Sequence, residues 1–401
     1  MAKISNEKLI LHIDGFDYYD LYNPEKLGQL TSIFFDEVRS ENPVLAEKFS
    51  VFRKEKGKGF SPIESSSLLV EMAPYLSAFI AKLFGIENEC KKLRIQAEKE
   101  KVIFDFKREF FTRRVLKKIK TEQAKSLDIA KLDREISAIK KGIQGILDDD
   151  SELETAAMVM ELMNAEKPFG GSDPKGATAY FKTLASRLQG EVSLCNIYPI
   201  STDEAAMKDF AVTLLSIWEQ WAAAHYFAGT RAMKGWVTFK QPEKVDFDHL
   251  VERVVINTPV PNMNIGHEEE YRHREGFDLT DLSFTCREAM SEIDYCIICH
   301  ERGKDSCSKG FHDGSGYKKN PLDYELAGCP LDQKISESHF LQGKGDTIAA
   351  LSIIAIDNPM CPGTGHRICN DCMKACIYQK QEPVNIPQAE TRILTDILSL
   401  P

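Results

Sequence analysis

The sequence predicts a mainly α protein, in which a multi-helical N-terminal region is followed by a smaller cysteine-rich domain. Before residue 280, apolar residues recur at steps of three and four, which is the spacing of one face of an α-helix. After it, eight of the eleven cysteines fall between residues 296 and 376. We expect three domains: a helical region with long charged helices at 1–166, a second helical region with a linker at 167–278, and the cysteine-rich domain at 279–401.

The first predicted helices have clear start and stop signals. A helix over 24–39 begins at Asn23-Pro24, a capping residue followed by a first-turn proline. A second helix, over 62–84, begins after the capping candidate Ser61 and ends at Gly85. Both boundaries come from local signals and do not depend on the rest of the fold.

The middle of the chain is also predicted to be helical. Residues 87–150 are interpreted as long charged helices, with further helices over 178–188 and 202–236 and an exposed linker over 257–278. The stretch 107–120 is locally basic, with phenylalanines beside its charges. We interpret it as a solvated helix face, because the chain as a whole is acidic.

Composition excludes several classes of protein. With 43% hydrophobic and 28% charged residues, the chain resembles globular proteins and not disordered or collagen-like ones. Its formal net charge of −10 makes nucleic acid a poor default partner. No signal peptide is recognisable at the N-terminus, so we expect a cytoplasmic location. The most apolar stretch, 210–229, contains Glu219 and His225, which favours a buried helix over a membrane span.

The cysteine spacing predicts a metal-binding domain. Cytosolic thiols are kept reduced, so grouped cysteines favour metal or redox chemistry over disulfides. Eight thiols suffice for two four-ligand sites. Zinc ribbons would have two Cys-x2-Cys pairs about fifteen to twenty residues apart, whereas Cys299 and Cys369 are 70 apart, and iron-sulfur ligation is therefore favoured over structural zinc. The order is Cys296-x2-Cys299-x7-Cys307, then Cys329 and Cys361, each followed by proline, then Cys369-x2-Cys372-x3-Cys376.

Histidines of the same segment could substitute as ligands, although a polar loop position is the commoner role for each: His300, His312, His339 and His366.

Several short stretches resemble one known domain. They are Arg287-Glu-Ala289, Tyr295-Cys-Ile-Ile-Cys299, Gly328-Cys-Pro-Leu331, Ile348-Ala-Ala-Leu351, Asn358-Pro-Met-Cys-Pro362, Cys372-Met-Lys-Ala-Cys376 and Glu382-Pro-Val-Asn-Ile386. Together they resemble the α-helical ferredoxin domain of the glutamate synthase small subunit and dihydropyrimidine dehydrogenase, over about residues 280–400. The resemblance implies an α-helical ferredoxin-like iron-sulfur domain with two [4Fe-4S] clusters, which pass electrons between an NADPH-reduced flavin and a distant redox centre.

The resemblance also implies a ligand set for each cluster. Cluster 1 would be held by Cys296, Cys299, Cys307 and Cys376, and cluster 2 by Cys329, Cys361 and Cys372 with a fourth ligand. That fourth ligand is either Cys369 or Glu390, and we favour Cys369 because thiolate is the softer donor. The gaps from Cys299 to Cys307 and from Cys361 to Cys372 are longer than in those relatives.

The expected function is that of an iron-sulfur electron-transfer module or subunit of an NAD(P)H-dependent flavin oxidoreductase. The chain has no Gly-x-Gly-x-x-Gly dinucleotide motif after a strand, so we expect FAD and NAD(P)H on a flavoprotein partner or missing domain. No catalytic residue is assigned, and the oligomeric state stays open. The alternative is a helical interaction or scaffold protein whose C-terminal cysteines bind structural zinc.

Overall fold

Helices dominate the structure, which confirms the prediction of a mainly α protein. A computed structural model describes residues 10–143, 150–171, 173–230, 233, 235–250, 254–255, 259, 264–266, 276–277, 282–364 and 369–401. The first helices are α1 (Pro24–Glu41), α2 (Pro43–Lys54), α3 (Pro62–Phe84), α4 (Glu87–Asp105), α5 (Leu116–Lys118), α6 (Thr121–Lys125), α7 (Ile129–Gly142), α8 (Ser151–Glu166), α9 (Pro174–Leu188) and α10 (Glu204–Ala228). The later ones are α11 (Cys286–Tyr295), α12 (Ser306–Lys309), α13 (Ile335–Gln342), α14 (Thr347–Asp357), α15 (Cys361–Thr364), α16 (Asp371–Lys374) and α17 (Ile386–Leu398).

Shorter elements connect these helices. Two antiparallel pairs of two-residue strands occur among the described residues: β1 (Val254–Val255) with β2 (Asn264–Ile265), and β3 (His312–Asp313) with β4 (Gly316–Tyr317). Turns of 3-10 helix in the described part of the chain include Tyr18–Tyr22, Lys167–Gly170, Val192–Leu194 and Cys299–Arg302, and Phe106–Val115 is π-helical.

The chain divides into two compact units. The first is formed by two separate segments, Met1–Ala97 and Pro242–Pro401, and the second by Glu98–Gln241. The sequence had placed its boundaries after residues 166 and 278. The first helices of the chain therefore pack with its cysteine-rich end, a long-range association that no local pattern could indicate.

Within the first unit, the local signals produce the helices expected from them. The side chain of Asn23 accepts hydrogen bonds from the amides of Glu25 and Lys26, at 2.9 and 3.3 Å, and α1 begins there. Ser61 forms a capping box with Glu64 at the start of α3. Gly85 ends α3 in the left-handed conformation, with φ of 67°. Both predicted helices, 24–39 and 62–84, are confirmed.

Helix α3 is the link between the two segments of the first unit. Its Leu69 and Ala73 belong to one buried apolar cluster with C-terminal residues, among them Leu341, Ile353, Ile354 and Ile393. The hydroxyl of Ser66 donates to the buried carboxylate of Glu337, and that of Ser77 donates to Asp346. Of the described helices, α3 alone is long and apolar enough to cross a membrane by length and composition, a test that core helices also pass.

Helix α10 is the centre of the second unit and contacts α6, α7, α8, α9 and the π-helical segment. Trp218 is completely buried, and the stretch 210–229 is a buried helix as predicted. The buried carboxylate of Glu219 accepts hydrogen bonds from Arg114 at 2.8 Å and Lys118 at 2.9 Å. Two basic residues of the stretch 107–120 are therefore paired with a buried acid.

Two helix predictions are corrected by the structure. The helix predicted over 202–236 ends at Gly229, because that glycine takes the left-handed conformation with φ of 59°. The segment 87–150 is not one run of long helices, since α4 passes into the π-helical segment and the chain is extended at Ile119 and Asp128. The predicted linker 257–278 falls almost entirely outside the described residues.

Candidate metal centre

Four of the predicted ligands come from three separate segments of the first unit. Cys296 follows α11, and Cys299 opens the 3-10 turn after Ile298, whose φ of 53° turns the chain back. Cys307 lies in α12, and Cys376 follows α16. Each thiol is thus carried by a turn or by the end of a short helix.

These four thiols line one cavity. Cys296, Cys299, Cys307 and Cys376 border it together with apolar side chains such as Ile335. The cavity is narrow, with about 10 Å³ of free space, which is roughly the room that one water molecule needs. A group larger than a single ion requires the lining turns to move outward.

Burial keeps the thiols of this cavity protonated. It raises the pKa of Cys296 to about 12 and that of Cys299 to about 11, and it raises the pKa of Cys307 well above its usual value. An ionised Cys376 would raise the pKa of all three further, because like charges disfavour ionisation. A metal that binds here must displace protons.

Backbone amides favour the ionised form of Cys376. Burial raises the pKa of this thiol, while hydrogen bonds from the amides of Tyr378, Val384 and Ile377 act in the opposite direction. Amide donors aimed at a cysteine sulfur are one of the means by which a protein adjusts a bound iron-sulfur cluster. The turn after α16 therefore offers donors suited to a thiolate.

A second group of thiols interacts electrostatically with the buried carboxylate of Glu390. Burial, followed by the charges of Glu390, Cys329 and Cys369, raises the pKa of Cys372. Burial and the charges of Glu390 and Cys369 also raise the pKa of Cys329. Gln333 joins the group, because its amide donates to Glu390 at 3.4 Å and its oxygen accepts from the Cys329 thiol at 3.5 Å.

Cys361 is the least closely associated of the second set. It is completely buried in the apolar cluster that contains Ile353 and Ile393, the packing of a small hydrophobic residue. Its electrostatic link to the set is Glu390, whose charge adds to the effect of burial in raising the pKa of this thiol to about 11. Cys369, by contrast, is exposed.

The two sets adjoin each other at two places. The amide of Cys329 donates to the carbonyls of Cys307 and Ser308, both at 2.9 Å. Two glycines with positive φ permit this contact, because a Cβ on Gly328 would lie 2.5 Å from the amide nitrogen of Gly310. In sequence, Cys372 and Cys376 belong to different sets and are separated by one helical turn.

His339 is a further donor on the first cavity. The sequence suggested a polar loop role, but the residue lies in α13, is 1% exposed and lines the cavity of the four thiols. Neither ring nitrogen has a hydrogen-bond partner among the described residues. Burial lowers the pKa of its imidazole to about 4, so the ring is neutral and able to donate or to coordinate.

The other residues near the thiols have different roles. The ring of His300 is hydrogen-bonded to the hydroxyl of Ser336 at 2.8 Å, His312 is exposed on β3, and His366 lies outside the described residues. Sequence reasoning missed Asp305, which accepts from the Cys307 thiol at 3.4 Å and whose pKa burial raises to about 7. Its position two residues before Cys307 was the available signal.

Lining a common cavity does not make the four thiols a preformed site for one ion. Within the part of the chain that the structure describes, no three His, Cys, Asp or Glu side chains are grouped as the ligands of a single metal ion. All eleven cysteines lie within the described residues, and none of them forms a disulfide there.

Comparisons with known proteins find one matching family model and two similar rickettsial proteins. Residues 11–85 match the family model of the RP005 N-terminal alpha-helical domain. The chain is similar to the uncharacterized protein RP005 of Rickettsia prowazekii (strain Madrid E), with 26% identity over 346 residues, 84% of this chain and 99% of that protein. It also matches the uncharacterized protein RP006 of the same organism, with 69% identity over 42 residues, 10% of this chain and 6% of that protein. No solved structure matches the chain.

These comparisons correct the resemblance on which the ligand assignment depended. The identification with the α-helical ferredoxin domain of glutamate synthase and dihydropyrimidine dehydrogenase is wrong, because the family model that matches is the RP005 N-terminal alpha-helical domain and neither a ferredoxin nor a glutamate synthase family matches. Short cysteine spacings such as Cys-x2-Cys occur in several unrelated kinds of site. The spacing in this chain therefore did not establish a relationship to the ferredoxin domain. The cysteines must be judged on their own geometry.

Proposed function

We propose that residues 279–401 are a helical iron-sulfur domain, in which two [4Fe-4S] clusters accept and release single electrons. The observation that carries the proposal is the cavity lined by Cys296, Cys299, Cys307 and Cys376. Thiolate sulfur is the donor that iron-sulfur clusters select, and four such donors complete the ligand set of one cluster. The proposal rests on these residues and on no family relationship.

A second cluster is proposed on Cys329, Cys361 and Cys372, with Cys369 as the fourth ligand. The charges of Glu390 and Cys369 contribute to the raised pKa values of both Cys329 and Cys372, which supports a common site. The contact between the Cys329 amide and the Cys307 carbonyl supports close neighbourhood of the two sets. Neighbouring one-electron centres are suited to passing electrons in sequence.

The electron donor that we propose is a flavoprotein reduced by NAD(P)H. Nicotinamides deliver electrons as hydride pairs, and a flavin converts such a pair into the single electrons that iron-sulfur clusters take up. FAD and NAD(P)H would then be bound by the partner. The cytoplasmic location of the pair stays a prediction.

The second candidate function is that of a helical interaction protein with structural zinc. The narrowness of the first cavity favours it, because about 10 Å³ of space suits a single ion better than a four-iron cluster. Zinc would also need tetrahedral thiolate ligands. Metal identity therefore decides between the two functions.

The test is metal analysis of the full chain after anaerobic purification and reconstitution with iron and sulfide. We expect about eight iron atoms and eight sulfides per chain, with visible absorption that dithionite bleaches. Cys299→Ala should remove about half of the iron. Cys195→Ala, at an exposed cysteine outside both sets, should leave the iron content unchanged.

Three results would contradict the proposal. Colourless protein with bound zinc would establish the second candidate. Protein that binds neither metal after reconstitution would remove both functions. Equal iron content in Cys299→Ala and the wild-type chain would show that the first cavity is not the site.

A further inference from the structure

The first unit contains a second, larger cavity, whose lining includes no cysteine. It has a volume of about 390 Å³ and is lined by side chains of α1, α2, α3 and α14. The walls are apolar and include the rings of Phe34, Phe49 and Phe79. This volume and lining are those of small-molecule pockets, which are concave, mostly apolar and supplied with few polar groups.

The cavity has an apolar entrance. Leu27 on α1 is 43% exposed and Ile356 on α14 is 49% exposed, and both line the cavity. A ligand with an apolar body can therefore enter from solvent between these two helices.

The polar residues of the lining indicate which chemical group the ligand carries at the end opposite its apolar body. The hydroxyl of Thr31 donates to the carbonyl of Leu27 at 2.8 Å, and that of Ser352 donates to the carbonyl of Ala349 at 2.7 Å. Both donors are thus occupied within their own helices. Arg53 is the charged residue of the lining, and among the described residues it has no ion pair. Its guanidinium lies over the ring of Phe35, 4.5 Å from the centroid.

We propose that this cavity binds an amphipathic carboxylate, with the apolar chain among the phenylalanines and the carboxylate on Arg53. The contact with Phe35 positions the guanidinium, and the planar set of N–H groups of an arginine matches the two oxygens of a carboxylate. Charge complementarity therefore selects an anion over a neutral or cationic amphiphile. The inference is independent of the iron-sulfur proposal, because it uses none of the cysteines.

The experiment is calorimetric titration of the full-length protein with dodecanoate, dodecanol and dodecyltrimethylammonium. We expect dodecanoate to bind one molecule per chain and more tightly than the other two. Arg53→Ala should weaken dodecanoate binding about tenfold and leave dodecanol unchanged. Arg53→Lys should restore part of the affinity, and Lys54→Ala, at the next position and outside the cavity, should have no effect.

A second pair of variants tests whether the apolar chain of the ligand lies in the cavity. Thr31→Phe adds a ring at the cavity wall and should weaken both dodecanoate and dodecanol, whereas Ser32→Phe adds it at the adjacent exposed position and should weaken neither. Circular dichroism checks that each variant is folded. Equal binding of dodecanoate to Arg53→Ala and Lys54→Ala, or equal binding to Thr31→Phe and Ser32→Phe, would overturn the proposal.

Discussion

Glu219 shows how a charged residue can occupy the interior of this protein. It is 5% exposed in the middle of an apolar helix, a position that costs several kcal/mol for an unpaired carboxylate. Arg114 of the π-helical segment and Lys118 of α5 donate hydrogen bonds to its carboxylate. What looked in the sequence like a surface basic stretch thus includes the partners of a buried acid.

Replacing Arg114 should therefore cost more than replacing its neighbour. Arg114→Met leaves Glu219 with Lys118 as its remaining partner, and we expect a loss of roughly 2 kcal/mol in the free energy of unfolding. Arg113→Met removes an exposed pair with Glu109 and should cost below about 1 kcal/mol. Urea denaturation of both variants measures the difference. Equal losses would show that the buried pair contributes no more than the exposed one.

The fourth ligand of the second cluster is also decided by single residues. If Cys369 is that ligand, Cys369→Ser should lower iron content toward one cluster per chain, because a hydroxyl is a harder donor than a thiolate. Glu390→Gln keeps the size and the hydrogen bond from Gln333, and it should retain full iron content. The reverse result, with iron lost from Glu390→Gln alone, would assign Glu390 as the ligand.

At the scale of elements, the turn around Gly328 holds the two cysteine sets together. A Cβ at Gly328 would lie 2.6 Å from the Ser308 carbonyl oxygen and 2.5 Å from the Gly310 nitrogen, so the backbone itself must move. Gly314 has a comparable positive φ of 60° but open space around it. The two glycines differ in close contacts and share the backbone strain.

This difference predicts unequal effects of alanine. Gly314→Ala should cost about 1 kcal/mol, the usual penalty for a left-handed alanine. Gly328→Ala should cost more and should lower iron binding, because it separates the segments that carry Cys307 and Cys329. Thermal unfolding and iron analysis of both variants provide the test. Similar melting temperatures and equal iron would mean that the close approach does not matter.

Local signals explain which elements were predictable. Helices α1 and α3 were predicted within a few residues, because their caps are encoded at Asn23, Ser61 and Gly85. The interruption after α4 was not, since the buried phenylalanines 106, 110 and 111 continue an apolar pattern while the backbone widens to a π-helix. The spacing of apolar residues in a sequence predicts which face of a helix is buried. It does not distinguish an α-helix from the wider π-helix.

The sequence likewise predicted only part of the candidate site. Spacing identified the eight grouped cysteines, but the approach of Cys376 to Cys296 depends on packing between distant segments. The unpartnered ring of His339 in that cavity gives no signal in the sequence. The carboxylate pocket at Arg53 was missed for the same reason, because its walls come from helices at opposite ends of the chain.

At the scale of the whole molecule, the first unit is built from both ends of the sequence, and one of its buried apolar clusters joins them. The region that matches the RP005 model contributes α3, and the cysteine-rich end contributes α13, α14 and α17. Buried hydrogen bonds from Ser66 to Glu337 and from Ser77 to Asp346 add polar links to the apolar ones. Because buried polar groups are costly when left unpaired, neither segment is expected to keep its structure without the other.

The last prediction tests this dependence by weakening α3 alone. Leu69 is 7% exposed among C-terminal side chains, and Leu69→Ala should destabilise the unit by about 3 kcal/mol. In hydrogen exchange, the amides of α14 and α17 should lose protection together with those of α3, because helices that pack in one cooperative unit unfold together. Glu71→Ala, at an exposed position of the same helix, should leave protection unchanged in all three helices. Faster exchange in α3 with unaltered α14 and α17 would instead identify two segments that unfold independently, and the cysteine-rich end would then owe its structure to its own contacts.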